Sequence, residues 1–544
     1  MWDTLPPPSE RDAERYRAAG WWRDGTFLDD LARHAAERPD RPAVIGYLVG
    51  EPEVSLGWAG LAAAVERTAA ALTALGVGRG DVVVVHLPNR WVLAALYLGC
   101  LRIGAVAAPV IPTLGGRELE FVLRAGRARV CVTVDTYAGV DYDRRLAEVA
   151  PETLAHRVVL GDAARTGAVD FGEFFVRTER APAPGDPAGP DDPALLLYTS
   201  GTTGEMKGVV HSQNTLYAAT LAVTRPHGLT GDDVVSVPNL LTHMAGATYA
   251  VLSPVALGAT CVVADTNADM DLFLDLVERH GVTWAYLSPN YLMNLLAAQR
   301  HRPRDTSTVD RLVSGSAPVQ PFLIAEVREV FGVPLHTLWG MTENGAVTVT
   351  RPDDPQGWGA HSDGRPYESM QLRIDADPGS ETGHLFVRGA SQCLGYLDRR
   401  ELYESCLDAD GWFDTGDLAR PDGRGGIRIT GRRSDLITRA SGQKVSTLEV
   451  ETVLMRHPAV ADAVLVGYPD PDVPGAELVC AVVVPKGEPP TLEVLRSYLD
   501  GERMATVLWP DRVQFVWELP RNTLGKVLRV PLRERLELAA APRT

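Results

Sequence analysis

Hydrophobic and polar positions follow two alternating patterns along most of the chain. Continuous apolar, largely β-branched runs are typical of strands buried on both faces of a parallel sheet. These runs lie at residues 81–87, 105–110, 130–134, 260–263 and 282–287. Helical periodicity separates them, as in residues 91–101. Strands that alternate with helices in this way indicate α/β layers.

The pattern changes after about residue 430. Shorter strand and helix patterns follow at residues 459–466, 477–484, 491–499 and 512–516. Three strands around one helix predict a compact α+β unit. We therefore predict a large multilayer α/β domain at residues 1–431 and a small α+β domain at residues 432–544.

Length and charge agree with this division and limit the partners. A chain of 544 residues is too long for a single hydrophobic core. Its 53 basic and 70 acidic residues give a formal net charge of −17. Because such a charge repels polyanions, we expect neither nucleic acid nor acidic membranes as partners. An anionic substrate must then be met by local positive charge.

Cysteine usage and the apolar segments bear on the compartment. The six cysteines are scattered and form no C-x-x-C pair, which is typical of reduced core residues in a cytosolic protein. Residues 1–8 lack the basic and apolar regions of a signal peptide. The most apolar segment, residues 91–114, is interrupted by Arg102, Pro109 and Pro112, so it predicts a helix, a turn and a buried strand instead of a membrane span. We expect a soluble, cytoplasmic protein.

A glycine- and hydroxyl-rich segment follows the strand-like run at residues 194–198. It comprises Thr199, Ser200, Gly201, Thr202, Thr203, Gly204, Glu205, Met206, Lys207 and Gly208. Backbone amides in such a loop turn toward an anion, small side chains let polyphosphate approach closely, and Lys207 supplies charge. The residue order differs from the Walker pattern G-x-x-x-x-G-K-[ST]. The segment predicts an ATP-phosphate loop of a different kind.

Four further motifs follow in chain order. They are W-G-M-T-E at 339–343, G-W-F-D-T-G-D at 411–417, G-R-R-S-D at 431–435 and P-R-N-T-L-G-K at 520–526. Together with the phosphate loop, these motifs resemble the adenylate-forming superfamily of acyl- and aryl-CoA synthetases, nonribosomal peptide adenylation domains and beetle luciferases. The resemblance extends from about Thr26 to Leu532. It implies that the C-terminal domain is mobile and that the active site lies between the two domains.

The resemblance implies a role in ATP binding for many of these residues. The loop from Thr199 to Lys207 would hold the β- and γ-phosphates, and Thr342 would contact the α-phosphate. Trp339 would stack on adenine. Glu343 would hold Mg²⁺, a hard cation that prefers carboxylate oxygen. Further contacts to the nucleotide are expected from Gly315, Ser316, Ala317, Gly340 and Met341.

The C-terminal motifs add a ribose site and a catalytic lysine. Asp417 matches the acidic residue that binds the two ribose hydroxyls, and Arg432 matches a second ribose or phosphate contact. Lys526 resembles the family's catalytic lysine, which reaches between the substrate oxygen and the α-phosphate in the closed state. Adenylation builds charge on phosphoryl oxygens, so it requires positive charge and positioning more than an acid–base pair.

The acid pocket is predicted from fewer residues. His243 matches a family position at that pocket, and Met244, Gly315 and Gly340 are expected beside it. The segment E-R-Y-R-A-A-G-W-W at 14–22 resembles aryl-acid and cyclic-acid ligases. Met244 departs from the asparagine found there in ligases of the dihydroxybenzoate type. We expect a small aromatic or cyclic carboxylic acid as substrate.

The sequence departs from the family pattern at three places, of which the first lies in the phosphate loop and the other two concern the second half-reaction. Met206 replaces the usual proline before the lysine, and Ser434 replaces the usual hinge Asp or Lys. Residues 439–445 replace a shorter Gly-Gly segment that lines the pantetheine tunnel of CoA ligases, where Ala440 and Ser441 would narrow the path.

Several acceptors therefore stay open. CoA or a carrier protein would take the acyl group in the commoner reaction. In the alternative, the enzyme activates nitrite with ATP and passes it to an aromatic amine, such as an aminoaryl acid, to give a diazonium product without CoA. A catalytically inactive scaffold is a third reading, which the intact Lys207, Glu343, Asp417 and Lys526 argue against.

Overall fold

The computed structural model describes residues 1–6, 9–181, 183, 185–200, 206–265, 269–441, 443–521 and 526–540. The predicted phosphate-loop residues Gly201, Thr202, Thr203 and Gly204 lie outside the described residues, as does Gly442. Contacts divide the chain into two compact units, Met1–Gln371 with Arg388–Gly411 and Leu372–Val387 with Trp412–Thr544. We call them the N-terminal unit and the C-terminal unit.

Helices occur throughout the described residues. In chain order they are α1 (Glu10–Ala18), α2 (Phe27–Glu37), α3 (Trp58–Ala74), α4 (Val92–Arg102), α5 (Gly116–Ala125), α6 (Tyr142–Val149), α7 (Gln213–Thr224), α8 (Met244–Gly246), α9 (Ser253–Leu257), α10 (Met270–His280), α11 (Pro289–His301), α12 (Pro321–Phe331), α13 (Arg400–Glu404), α14 (Thr447–Leu454), α15 (Leu492–Gly501) and α16 (Arg529–Ala540). Shorter 3-10 turns lie at Trp2–Thr4, Ala163–Arg165, Trp358–Ala360, Arg433–Asp435 and Thr506–Leu508, and π-helical turns at Gly172–Arg177 and Ala247–Leu252.

Strands alternate with these helices in the N-terminal unit and cluster in the C-terminal unit. In chain order they are β1 (Pro42–Leu48), β2 (Val54–Gly57), β3 (Val82–His86), β4 (Val106–Pro109), β5 (Val130–Val134), β6 (Thr136–Tyr137), β7 (Val140–Asp141), β8 (His156–Leu160), β9 (Val169–Asp170), β10 (Pro193–Ser200), β11 (Met206–Ser212), β12 (Val234–Ser236), β13 (Thr260–Asp265), β14 (Trp284–Leu287), β15 (Arg311–Ser314), β16 (Leu335–Met341), β17 (Gly345–Val349), β18 (Arg365–Pro366), β19 (Met370–Ala376), β20 (Gly383–Gly389), β21 (Gly395–Tyr396), β22 (Phe413–Pro421), β23 (Ile427–Arg432), β24 (Ile437–Thr438), β25 (Lys444–Val445), β26 (Val460–Pro469), β27 (Glu477–Pro485) and β28 (Arg512–Phe515).

Two large sheets form the framework of the N-terminal unit. Within the described residues, one has the order β18-β17-β16-β15-β14-β12-β13-β1-β2 and the other the order β21-β11-β10-β4-β3-β5-β8-β9. Parallel pairing dominates both sheets, whereas β10–β11 and β16–β17 are antiparallel hairpins. Every residue of β3 is buried. The predicted α/β layers and the buried strands at 81–87, 130–134, 260–263 and 282–287 are confirmed.

One hydrophobic core joins the two sheets. It contains Val83 of β3, Val235 of β12 and the fully buried Trp58 at the start of α3. Burial of apolar side chains on both faces of a parallel sheet requires helices on both sides of it. The core therefore leaves the strand ends as the places where polar side chains reach substrate.

The C-terminal unit is an α+β structure, as predicted. Strands β26, β27 and β28 form a sheet whose alternate residues enter two cores. Leu465 and Ala481 face the core that α14 and α15 complete, whereas Val464 and Val482 face the core beneath α16. A further sheet, β19-β20-β22-β23, carries the motif at 411–417. Contacts place residues 412–431 in this unit. The sequence predicts a domain boundary after residue 431. That boundary stays a prediction about the position of the hinge.

Two further observations concern cysteines and membranes. All six cysteines are free thiols, and five of them are buried. Across the part of the chain that the structure describes, no helix is both long enough and apolar enough to cross a membrane.

The N-terminal unit encloses six histidines with lowered pKa values, of which His34 has the smaller shift and the other five have large shifts. Burial lowers the pKa of His227 to about 3 and the pKa of the other four to about 4; these are His86, His211, His243 and His336. The unfolded chain binds protons at these histidines near pH 6.5, whereas the folded chain does not. Their contribution to stability is therefore fully present above about pH 6.5 and is lost as the pH falls toward 4.

We expect the free energy of unfolding of the N-terminal unit to fall steeply between about pH 6.5 and pH 4, by on the order of a few kcal/mol per buried histidine at most. Urea unfolding at a series of pH values measures this slope. His336→Asn should flatten it, because His336 is buried and its ring Nε2 has no hydrogen-bond partner among the described residues. His361→Asn, at an exposed position, is the control. Equal slopes in the two variants would contradict the assignment.

Candidate functional site

The predicted phosphate loop is built on an antiparallel hairpin. Strands β10 and β11 pair so that Thr199 lies opposite Lys207 and Ser200 opposite Met206. The strands therefore continue to the last described residue on each side of the loop. This geometry differs from the strand–loop–helix of a Walker motif, as the residue order predicted. It holds Thr199 and Lys207 as direct cross-strand neighbours.

A buried tyrosine connects the hairpin to the acidic residue at 343. The Lys207 Nζ lies 5.0 Å from the centroid of the Tyr396 ring, a cation–π distance. The Tyr396 hydroxyl donates a hydrogen bond of 2.8 Å to Oε1 of Glu343. Burial and the adjacent Glu343 raise the pKa of Tyr396, so its hydroxyl stays a donor. Tyr396 thus contacts the side chains of two predicted ATP-binding residues.

Sequence reasoning missed Tyr396 because no spacing along the chain marks it. Strand β21 pairs with β11, with Tyr396 opposite Val209, and this pairing alone brings Tyr396 to Lys207. The tyrosine is almost fully buried. A G-Y pair in isolation is equally typical of an ordinary strand end.

The segment from Trp339 to Glu343 spans the end of β16 and the turn into β17. The strand pairing shifts register between Trp339 and Gly340. A side chain at Gly340 would place its Cβ 2.1 Å from the carbonyl oxygen of Gly345, so only glycine allows this close approach. The bulge and the turn set the direction in which Trp339, Thr342 and Glu343 leave the sheet.

A buried histidine, His211, connects this turn to the hairpin of β10 and β11 by hydrogen bonds. His211, on β11, lies 2.7 Å through its Nε2 from the carbonyl oxygen of Thr342 and 2.9 Å through its Nδ1 from the Thr215 hydroxyl. Burial lowers the pKa of His211 to about 4, so the ring is neutral. The neutral tautomer that satisfies both contacts donates from Nε2 to Thr342 and accepts at Nδ1 from Thr215. His211 was not predicted as a site residue.

The segment from Gly315 to Ala317 follows β15 and packs against β16. A Cβ at Gly315 would lie 2.5 Å from the carbonyl oxygen of Leu338, which directly precedes Trp339. Ser316 adopts a left-handed backbone with φ of 67° and shares a hydrogen bond of 2.8 Å with the Tyr286 hydroxyl. The structure therefore brings two of the segments predicted to bind the nucleotide to neighbouring strand ends.

His243 and Met244 start a short helical segment in the same unit. The His243 Nδ1 accepts a hydrogen bond from the backbone N–H of Ala245, which makes His243 the N-cap of α8. Burial lowers the pKa of His243 to about 4, so the ring is neutral. The Met244 side chain approaches Gly345, at the start of β17. Met244 therefore lies next to the turn that carries Glu343, whereas the role of His243 at the acid pocket stays a prediction.

The C-terminal unit brings together the other three predicted residues. Asp417 on β22 lies opposite Arg432 on β23, and Arg432 Nε is 2.9 Å from Oδ1 of Asp417. The side chain of Lys526 keeps exposed surface. Nevertheless, partial desolvation by surrounding protein and the nearby Arg432 lower its pKa, while Asp435 and Asp417 oppose this shift. The ammonium therefore lies within electrostatic reach of both residues that were predicted for the ribose site.

Magnesium would be held in this protein by few protein ligands. Among the described residues, no three His, Cys, Asp or Glu side chains form a cluster that could hold a metal ion. Mg²⁺ commonly binds through one or two carboxylates together with substrate phosphates and water. Glu343, oriented by Tyr396, fits that requirement as the single carboxylate.

Comparison with known proteins extends over the whole chain. The sequence profile described as AMP-binding enzyme matches residues 31–397, and the profile described as AMP-binding enzyme C-terminal domain matches residues 449–526. The salicyl-AMP ligase / salicyl-S-ArCP synthetase of Mycobacterium tuberculosis is 33% identical, covering 99% of this chain and 96% of the relative. The medium-chain fatty-acid–CoA ligase of Escherichia coli is 30% identical, covering 97% and 93%.

A solved structure gives the same result for the fold. The crystal structure of an anthranilate CoA ligase in complex with anthranoyl-AMP superimposes with a TM-score of 0.83 at 26% identity. The match covers 95% of this chain and 98% of that ligase.

The site geometry predicts a specific defect for Tyr396→Phe. Loss of the hydroxyl frees the Glu343 carboxylate, and a hydrogen bond to a charged group contributes about 1.5–3 kcal/mol. We expect the KM for Mg·ATP to rise by roughly ten- to a hundredfold, measured by pyrophosphate exchange. Tyr198→Phe is the matched control, because it removes a hydroxyl that donates to the Val122 carbonyl without touching Glu343. An equal rise in both variants would refute the role of Tyr396.

Proposed function

Because the chain belongs to the AMP-binding enzyme family and is an adenylate-forming ligase, we propose that it activates a small aromatic or cyclic carboxylic acid. The observation that carries the proposal is the contact chain from Lys207 through Tyr396 to Glu343. The buried Tyr396 side chain contacts both the Lys207 ammonium, which is the proposed cation for the phosphates, and the Glu343 carboxylate, which is the proposed ligand for Mg²⁺. The named activities of the relatives, which act on salicylate and anthranilate, support an aryl acid.

The proposed reaction joins a carboxylate oxygen of the acid to the α-phosphorus of ATP. The bond from the α-phosphorus to the bridging oxygen breaks, and pyrophosphate leaves with the electron pair. Negative charge grows on the phosphoryl oxygens and on the leaving group, so preorganised positive charge lowers the barrier. Mg²⁺ supplies such charge when it is bound with ATP.

In this scheme Thr199 and Lys207 bind the β- and γ-phosphates, and Thr342 contacts the α-phosphate. Glu343 presents its carboxylate to the metal. Asp417 accepts hydrogen bonds from the ribose hydroxyls, while Arg432, paired with it, fixes the carboxylate and offers further donors. Trp339 stacks on adenine opposite the segment Gly315–Ala317.

Lys526 would neutralise charge that is present only in the transition state. Its ammonium must be protonated to do so, and the lowered pKa means that this charge is lost at a lower pH than for an ordinary lysine. The chain contains only four lysines, at positions 207, 444, 486 and 526. Two of them occupy the positions that the chemistry requires. A cytoplasmic location, where ATP is available, stays a prediction.

The acceptor is proposed to be CoA or a carrier protein, forming a thioester with release of AMP. The names of the relatives include both kinds of acceptor. In the C-terminal unit, Ala440 and Ser441 are exposed next to the short hairpin of β24 and β25, where the Arg439 N–H donates to the Gln443 carbonyl. These two side chains stand where a glycine segment is typical and would narrow a path for pantetheine, which keeps transfer of activated nitrite to an aromatic amine as the second candidate.

Replacing the two functional lysines should affect different kinetic constants. Lys526→Ala should lower the rate of adenylation by about 10²–10³-fold with little change in the KM for ATP, because it removes charge that acts in the transition state. Lys207→Ala should mainly raise that KM. The readout is acid-dependent pyrophosphate exchange. Lys486→Ala, at an exposed position in the C-terminal unit, is the control. Near-normal exchange by Lys526→Ala would overturn its catalytic role.

A substrate screen tests the proposed function as a whole. Pyrophosphate release is measured with aryl, cyclic, short aliphatic and medium-chain acids, and with nitrite plus aminoaryl acids, each with and without CoA. We expect an aryl or cyclic acid to give the fastest release and its CoA thioester to accumulate. The double variant Ala440→Gly, Ser441→Gly should then lower the KM for CoA without changing pyrophosphate exchange. Release that requires both nitrite and an aromatic amine would instead establish the alternative.

A further inference from the structure

A buried ion pair in the C-terminal unit includes an arginine that follows the predicted catalytic lysine closely in the sequence. Glu451, on α14, is almost fully buried. Its Oε1 accepts a hydrogen bond of 2.8 Å from the backbone N–H of Leu465 on β26. Arg529, the first residue of α16, directs Nη2 to both carboxylate oxygens of Glu451 at 2.9 and 3.0 Å. A carboxylate buried in this way requires a cation, because an uncompensated charge is costly.

The same guanidinium reaches a second carboxylate on another element. Arg529 Nε lies 3.3 Å from Oδ2 of Asp435. Asp435 ends the 3-10 turn that begins at Arg433, immediately after Arg432, which is proposed to bind at the ribose site. The planar fork of arginine presents donors in two directions in a fixed geometry, whereas the ammonium of lysine is a compact point charge on a flexible stem. Arg529 therefore joins α14, the turn at 433–435 and the start of α16.

Lys526 is only three residues before Arg529. Between them, Val527 forms an antiparallel bridge with Arg521, and the Leu528 N–H donates 2.8 Å to the Pro520 carbonyl. The backbone from Val527 to Arg529 is thus held at each residue. A three-residue span reaches about 10 Å at most. The position of Arg529 consequently limits where the Lys526 ammonium can be placed.

We propose that Arg529 is the positioning residue for Lys526. By binding Glu451 and Asp435 together, it fixes the chain that carries the lysine relative to the turn that follows Arg432. It touches no reacting atom and acts through the placement of Lys526. Stability alone is a weak reason for such a pair, since buried ion pairs contribute little net free energy compared with apolar packing. The inference rests on the proposed role of Lys526 in adenylation.

A double-mutant cycle tests the proposal with the full-length protein. Arg529→Gln should lower kcat for pyrophosphate exchange by about tenfold or more, because displacement of a catalytic group by about 1 Å is costly. The KM for ATP should change little. In a Lys526→Ala background the same substitution should lower kcat by less than about twofold, because there is no longer a lysine to position. Arg529→Lys, which keeps the charge without the fork, should recover only part of the rate.

Two controls separate positioning from folding. Arg496→Gln removes another partly buried arginine of this unit, which donates 2.9 Å to the Pro510 carbonyl. It should lower the melting temperature without lowering kcat. Asp435→Asn, at a partly exposed position, weakens the contact to Arg529 without leaving a buried charge. It should show a smaller loss of kcat that again disappears in the Lys526→Ala background, and it decides the question if Arg529→Gln does not fold.

The outcomes are distinguishable. Equal losses of kcat in the native and the Lys526→Ala backgrounds would overturn the positioning role, because Arg529 would then act independently of Lys526. Full recovery by Arg529→Lys would also overturn it, since charge alone would suffice. If Lys526→Ala itself retained normal adenylation, the proposed function of Lys526 would fail instead, irrespective of Arg529.

Discussion

The pairing of β11 with β10 on one side and with β21 on the other is the constraint on which the N-terminal unit's site depends. It places Lys207 opposite Thr199 and brings the Tyr396 ring to the lysine. Through the Tyr396 hydroxyl, it also reaches the Glu343 carboxylate. The β10–β11 hairpin and β21 are thereby held in one continuous ladder of backbone hydrogen bonds, and the turn that carries Glu343 is joined to them by the tyrosine hydroxyl. A rigid strand framework of this kind keeps polar groups ready for a charged ligand without reorganisation.

Buried polar contacts add a second level of order to that framework. His211 extends from β11 to the carbonyl of Thr342, and burial keeps its ring neutral. Cys393 donates its backbone N–H to the Glu343 carbonyl at 2.7 Å. Hydrogen bonds to the carbonyl oxygens of Thr342 and Glu343 therefore hold two consecutive residues of the turn between β16 and β17. A buried donor and acceptor that are both satisfied specify one arrangement, because any other would leave a polar group without a partner.

The cations predicted to meet the substrate act locally, within a protein whose net charge is negative. The net charge of −17 opposes an anionic substrate, so the cations that meet it must act at short range. Most of the 53 basic residues are arginines, and many pair with nearby carboxylates, as Arg529 does with Glu451. Lysine remains at the predicted phosphate loop and at the predicted catalytic position. A compact ammonium suits these positions, where the ligand's oxygens change during the reaction.

The resemblance carried by five ordered motifs was enough to predict the family and the layered fold. Periodicity predicted the buried strands β3, β5, β13 and β14 as well as the α+β character of the C-terminal unit. Local patterns suffice here because strand burial and helix amphipathicity are encoded in consecutive residues. The motifs that carry the resemblance, and not periodicity, gave Thr199, Lys207, Glu343, Asp417, Arg432 and Lys526 as candidates.

Which of these residues meet was decided by the tertiary structure. Tyr396, His211 and the pair of Glu451 and Arg529 carry no motif, since each depends on a partner that is distant in sequence. The pairing of Asp417 with Arg432 likewise follows from the register of β22 and β23. Sequence by itself determined the chemical types of the groups and their order along the chain. Their contacts were set by strand register and core packing, because both sum interactions over many distant residues and no single segment encodes them.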